Sequence, residues 1–148
     1  MDNLLFVYGT LRLEYAETFI RNEISQDSIF QLLTQNSDFL GDATFRGQLF
    51  DIGGYPGVIE SSNPADIVLG EIYAIHPEKA GFVFKKLDYY EKCGPNFPQP
   101  AEYIRKQCAA NCQGQSLFAW IYLYNYSASG LLRIKNGDYL NYLKTFDV

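Results

Sequence analysis

Apolar and polar positions along the chain sort into a few short elements. Leu4, Leu5 and Phe6 form an apolar run that reads as a buried strand, closed by a tight turn at Gly9. Ala43, Phe45, Gly47 and Leu49 alternate against Thr44, Arg46 and Gln48, the period of a half-buried strand. Ile67 to Ile75 is apolar on both faces. So is a later strand, with Leu117, Ala119, Ile121 and Leu123 on one side and Phe118, Trp120, Tyr122 and Tyr124 on the other. Strands of that kind must be covered twice, by a barrel interior on one side and by helices or loops on the other. Ser28 to Gln35 reads as a short helix, and Gly137 to Phe146 as a terminal helix packing Tyr139, Leu140 and Leu143. The fold class expected is α+β, mostly β: a small mixed β-barrel with flanking helices.

A third helix carries the chemistry. His76-Pro77-Glu78 is a helix start, with Pro at the first position and an acid in the first turn. Ala80, Val83, Phe84 and Leu87 then recur at helical spacing. At about 100° per residue Glu91 falls near the centre of the same stripe, Asp88 lies towards its edge, and Lys85 and Lys86 lie on its flanks or off it. Cys93-Gly94-Pro95 ends the helix directly afterwards. An acid on the buried face at a helix C-terminus has its pKa raised by desolvation and by the negative end of the helix dipole. Such a carboxyl suits general acid–base work near neutral pH. The alternative from spacing alone is an acid that reaches solvent at a frayed end or pairs with an arginine. The turn at Gly9 offers a second feature, because a glycine there permits unusual backbone angles and close approach of a ligand to main-chain N–H groups.

Composition narrows the partners. The 148 residues fit a single domain, 1–148, and 47% of them are apolar, enough for a sizeable core. The formal charge is −5 with no basic stripe, which argues against nucleic acid and anionic membranes. No apolar run reaches transmembrane length, and the start of the chain has no signal-peptide pattern. The three cysteines are odd in number, and Cys108 and Cys112 lack a second Cys/His pair for zinc, so free thiols in a cytoplasmic protein are expected. The Gly9 turn has neither the further glycines of a dinucleotide fingerprint nor the lysine of a P-loop.

Two motifs, VYGTLR (Val7 to Arg12) and LDYYE (Leu87 to Glu91), resemble the gamma-glutamyl cyclotransferase-like family, in particular its branch of gamma-glutamylamine cyclotransferase and AIG2-like proteins. GQLFDIGGYPGVIE (Gly47 to Glu60), GEIYAI (Gly70 to Ile75) and EYIRK (Glu102 to Lys106) follow in the family's order, so the resemblance runs from about Asn3 to Tyr124. It implies that a gamma-glutamyl amine or peptide cyclises to 5-oxoproline and releases its amine. Glu91 matches the family's acid/base; Tyr8, Gly9, Thr10 and Leu11 match the loop that holds the glutamyl part. No cofactor and no metal are implied, and a monomer acting on a small molecule is expected. Tyr103, Arg12 and Tyr55 are added as substrate-binding candidates: Tyr103 for its strand face, Arg12 for a substrate carboxylate, and Tyr55 as an aromatic wall. Arg105 shares the face of Tyr103, Glu71 interrupts an apolar face, Glu60 ends a strand, and His76 precedes a helix-starting proline and is a poor catalyst.

The chain also departs from the family. Lys92 and Cys93 follow the acid where a glycine is common, the segment Gly94 to Pro100 holds three prolines, and Leu13 to Asp38 is long and polar. These departures bear on the leaving amine. Two rival functions are carried forward: a biosynthetic enzyme that removes a gamma-glutamyl protecting group, and a non-catalytic binding or interaction protein on the same fold.

Overall fold

A computed structural model describes residues 3–15 and 28–146. The strands are β1 (Leu4–Val7), β2 (Ser37–Asp51), β3 (Pro56–Glu60), β4 (Ile67–Ile75), β5 (Tyr103–Cys112), β6 (Gln115–Tyr124) and β7 (Leu132–Arg133). The α-helices lying wholly within the described residues are α1 (Ser28–Gln35), α2 (Ala80–Tyr90) and α3 (Tyr139–Lys144). Residues 16–27, part of the long polar stretch noted above, lie outside the described residues.

Five strands close a mixed barrel in the order β2-β4-β1-β6-β5, sealed where Ala43 and Thr44 of β2 meet Cys112 and Asn111 of β5. The pairings are antiparallel except for β1 with β6, which runs parallel and sets Leu5 beside Trp120. Strand β2 is long enough to serve two sheets. Ser37 to Arg46 pairs with β4, past an irregularity between Phe39 and Gly41, and Gly47 to Asp51 turns away to pair with β3.

Alternation then divides the side chains. Phe6, Phe45, Ile72, Cys108, Ala119 and Ile121 are buried in one cluster that fills the barrel. Leu5, Val7, Tyr73, Ile75 and Tyr122 form a second cluster, where Leu33 of α1 and Val83, Phe84 and Leu87 of α2 cover them. Both apolar faces of β6 are thus used, except at Phe118, which is exposed. Cys93, Cys108 and Cys112 are free thiols.

Three boundaries differ from the sequence reading. Pro77–Lys79 is a 3-10 turn and the α-helix begins at Ala80. Strand β2 begins at Ser37, well before the clean alternation that marks it from Ala43, because pairing with β4 holds its polar start extended. Helix α3 is shorter than expected. Asp138 caps it by accepting from the N–H groups of Leu140 and Asn141, and Gly137 before it has φ +71°.

Gly70, in β4, admits the Phe6 ring into the barrel. A Cβ there would sit 2.3 Å from the Val7 carbonyl oxygen and 2.6 Å from Phe6 Cζ. Gly70→Ala is expected to destabilise the fold by about 2–4 kcal/mol in a urea titration, because strand β1 has no room to retreat.

Candidate active site

Helix α2 ends in a sequence-specified stop. Glu91 is its C-cap and keeps its N–H on the Leu87 carbonyl at 2.9 Å. Lys92 follows with φ +54°, its N–H on the Tyr89 carbonyl at 3.1 Å, and the Cys93 N–H returns to the Asp88 carbonyl at 2.8 Å. These two bonds define a Schellman motif, whose left-handed residue is ordinarily glycine. Lys92 therefore does a backbone job ordinarily given to glycine, with more strain.

Asp88 locks that helix end to the barrel. It accepts from Arg105 Nε at 2.8 Å and Nη2 at 3.1 Å, and from the Tyr122 hydroxyl at 2.6 Å. Arg105 and Tyr122 are direct cross-strand partners on β5 and β6. The guanidinium also lies against the Phe84 and Trp120 rings, 4.6 and 4.5 Å from their centres.

One turn beyond this clamp, Glu91 faces a cavity of about 330 Å³. Its walls include Tyr8, Gly9, Thr10 and Leu11 after β1, Tyr55 just before β3 and Pro56 at its start, Tyr103 on β5, and Glu102, Lys92 and Tyr122. Burial pushes the Glu91 carboxyl up, and the negative charge of Glu102 pushes it further, to about 7. The walls are held by phenols acting as donors. Tyr8 donates to the Tyr122 carbonyl at 2.7 Å and Tyr103 to the Pro56 carbonyl at 2.6 Å. Burial raises both phenols well above their ordinary range, so they stay protonated. Tyr55 donates to Glu102 across the rim.

Glu91, Tyr8, Gly9, Thr10, Leu11, Tyr55 and Tyr103 are therefore brought together around one cavity. Arg12 is not. It is 4% exposed and turns behind the loop, with Nη1 3.1 Å from Asp138 Oδ1 and Nε 3.6 Å from Glu71 Oε2. Two acids drawn from β4 and the start of α3 outcompete a cavity-facing pose. Glu71 also belongs to this support: it accepts from the N–H of Leu13 at 2.6 Å and of Glu14 at 3.3 Å, and does not line the cavity. Arg105 is committed to Asp88, Glu60 to Lys106, and His76 to Asp38.

The reason for Gly9 is steric. A Cβ there would meet Pro56 Cγ at 2.9 Å, so the glycine lets the two cavity walls approach, without any left-handed backbone angle. The main-chain bond of its turn runs from the Arg12 N–H to the Gly9 carbonyl at 3.2 Å. Among the described residues, the N–H groups of Gly9, Thr10 and Leu11 donate to no main-chain partner in a turn or loop, and all three residues line the cavity.

Sequence reasoning missed Glu102 and Tyr122 as cavity residues. Glu102 stands just before β5, where alternation along the strand no longer tells which way a side chain points. Tyr122 was placed with Phe118, Trp120 and Tyr124 on one face of β6 without a role, and that face is the one that borders both α2 and the cavity.

The sequence model of the family described as gamma-glutamyl cyclotransferase, AIG2-like, matches residues 5–141. The chain belongs to that family. Among solved structures, it resembles YkqA from Bacillus subtilis with 25% identity and a TM-score of 0.66, over 99% of this chain and 43% of that one. The chain thus spans under half the length of YkqA. It also resembles protein ytfP from Escherichia coli, with 26% identity over 94% of this chain and 97% of that one, at a TM-score of 0.58. An AIG2-like protein from Mus musculus shares the fold, with 19% identity over 86% of this chain and 90% of that one, at a TM-score of 0.54. No curated protein matches the chain. Among the described residues, no helix is long and apolar enough to cross a membrane.

The raised carboxyl has a consequence for stability. Unfolded, Glu91 ionises at an ordinary carboxylate pKa of about 4.3; folded, it ionises at about 7. Between these values the unfolded state has released a proton that the folded state keeps, so stability falls as pH rises through the window and levels off above it. Glu91→Gln is expected to stabilise the protein at pH 8 by about 1–3 kcal/mol and to leave its stability unchanged at pH 4. Denaturant titrations at the two pH values measure the difference.

Proposed function

We propose that this protein cyclises a gamma-glutamyl amine or peptide to 5-oxoproline and releases the amine, with Glu91 as general acid/base. The observation that carries the reading is a carboxyl with a pKa of about 7 lining the same cavity as the Gly9–Leu11 main chain.

The substrate alpha-amine enters as ammonium, since alpha-amino groups titrate near ~8. The Glu91 carboxylate takes one proton from it. The freed amine attacks the side-chain carbonyl carbon and forms the ring C–N bond; Glu91 gives its proton to the departing nitrogen as the original amide bond breaks, and the second proton shed by the new ring nitrogen passes through the same carboxylate to the released amine, which leaves as ammonium. The nucleophile is internal, so the protein contributes orientation. Holding the chain in a ring-closing conformer is worth on the order of 7–11 kcal/mol relative to a bimolecular encounter. The Gly9, Thr10 and Leu11 N–H groups hold the glutamyl carboxylate or the developing oxyanion. Tyr8, Tyr103 and Tyr55 wall the glutamyl chain and exclude water.

Direct assay of 5-oxoproline release from a panel of gamma-glutamyl amines and peptides tests the reading. Glu91→Gln is expected to lower kcat by about 10²–10⁴ while 5-oxoproline still binds. Full activity in that variant refutes the role of Glu91. Absence of turnover across the panel, with tight binding of another ligand, favours a non-catalytic binding protein.

The productive ground state pairs a Glu91 carboxylate with a substrate ammonium. The kcat/KM profile is therefore expected to rise through pH about 7 and to fall above ~8. A profile flat from pH 6 to 9 contradicts the proton transfer.

A further inference from the structure

Two carboxyls share the cavity and are treated differently by the fold. Glu91 caps α2, Glu102 stands just before β5, and both line the same space. Glu91 is largely desolvated, whereas Glu102 is half-buried at the rim. Glu102 makes no ion pair among the described residues. Its carboxylate accepts instead from the Tyr55 hydroxyl. That hydrogen bond raises the phenol to about 12, so near neutrality Tyr55 is an uncharged donor that brings no cation to the pair.

Both ends of this tether are fixed. The Asn125 N–H holds the Glu102 carbonyl at 2.7 Å, and the next residue, Tyr103, donates its hydroxyl to the Pro56 carbonyl at 2.6 Å. The Tyr55 carbonyl accepts from the Ile52 N–H at 2.9 Å, and the Tyr55 ring stands 6.5 Å from that of Tyr103. The Glu102 carboxylate is thereby kept at the cavity wall instead of turning into water. The other groups around Glu91 leave this charge in place. Tyr8 after β1, Tyr103 on β5 and Tyr122 on β6 stay protonated, and so does Cys93 in the turn after α2, its thiol raised by burial. Lys92 in that turn is exposed, so water and salt screen its ammonium. Arg105 is committed to Asp88. One anion fixed beside a desolvated acid disfavours a second.

We infer that Glu102, tethered by the Tyr55 hydroxyl, is a positioning residue of the site: its carboxylate acts through Glu91 and favours the form of that acid which carries the proton. Its part in turnover rests on the cyclotransferase reading above. The coupling of the two carboxyls does not, and is measured without a substrate.

The Glu91 side-chain carboxyl is titrated by carbon-13 NMR, its resonance assigned by its loss in Glu91→Gln. The kcat/KM profile is recorded in parallel on the panel substrate that the wild type turns over fastest. The wild-type midpoint is expected at about 7. Glu102→Gln keeps an acceptor for Tyr55 but removes the charge, and is expected to lower the midpoint by about half a pH unit or more, at least about threefold in the ionisation constant. Glu102→Asp is expected to keep most of the wild-type value. Tyr55→Phe releases the carboxylate to water and is expected to lower the midpoint by less than Glu102→Gln does. Added salt is expected to lower the wild-type midpoint more than that of Glu102→Gln. The rising limb of kcat/KM is expected to move with the NMR midpoint in each variant. A residue that only closed the rim would change KM, or lower kcat/KM equally at every pH, and move neither. An unchanged NMR midpoint in Glu102→Gln overturns the coupling. A shifted midpoint with an unmoved kinetic limb overturns the role of Glu102 in the reaction. A shifted midpoint in a protein that turns over no panel member overturns the cyclotransferase reading and leaves the coupling standing.

Discussion

The carboxylate of Asp88 governs the geometry of the site. It accepts from Arg105 and Tyr122, neighbours across the β5–β6 ladder, and thereby joins the last turn of α2 to two barrel strands at once. A helix end is ordinarily its most mobile part, because its final carbonyls lack partners. Here the clamp and the Schellman bonds together immobilise it. Glu91, three residues after Asp88, is carried to the cavity by the helical repeat itself. Removal of Asp88 would leave a half-buried guanidinium between two aromatic rings without its counter-ion, a more serious loss than that of an exposed ion pair.

The opposite wall has its own fastening. Arg12, Glu71 and Asp138 draw together the loop after β1, the middle of β4 and the first turn of α3. The two sets of charges hold the walls of one cavity from outside it, and the cavity itself is left to phenols, main-chain N–H groups and a carboxyl that burial makes reluctant to ionise. This division leaves Glu91 largely desolvated, with Glu102 and Lys92 as the charged side chains that share its cavity. The cost is borne by folding stability in neutral and alkaline solution, a common exchange between stability and activity.

What the sequence made legible was what local pattern encodes. The two-faced strands at Ile67–Ile75 and around Ile121, the short helix at Ser28–Gln35 and the stripe Val83–Phe84–Leu87 all follow from side-chain periodicity, and the structure has them. Glu91 was legible for the same reason, since it continues that stripe. The role of Arg12 was not, because its partner Asp138 lies far along the chain and nothing near Arg12 signals a buried acid. The reason for Gly9 was half legible: close approach was anticipated, but by a ligand, whereas the neighbour that excludes a side chain is Pro56. Contacts between residues distant in sequence leave no periodic trace, and those contacts aim the loop.

The parallel seam between β1 and β6 bears on how the protein acquires its shape. Strand β1 lies between β4 and β6, and its Leu5 finds its neighbour Trp120 near the opposite end of the barrel's sequence. Pairings of such separation close late, because a long loop must be ordered before any contact rewards it. Tyr8, beside the glycine bend at the end of β1, finds its hydrogen-bond partner, the Tyr122 carbonyl, on β6. Without that pairing the cavity beside helix α2 would lack Tyr122 in its wall, so an enclosed chamber depends on completion of the barrel.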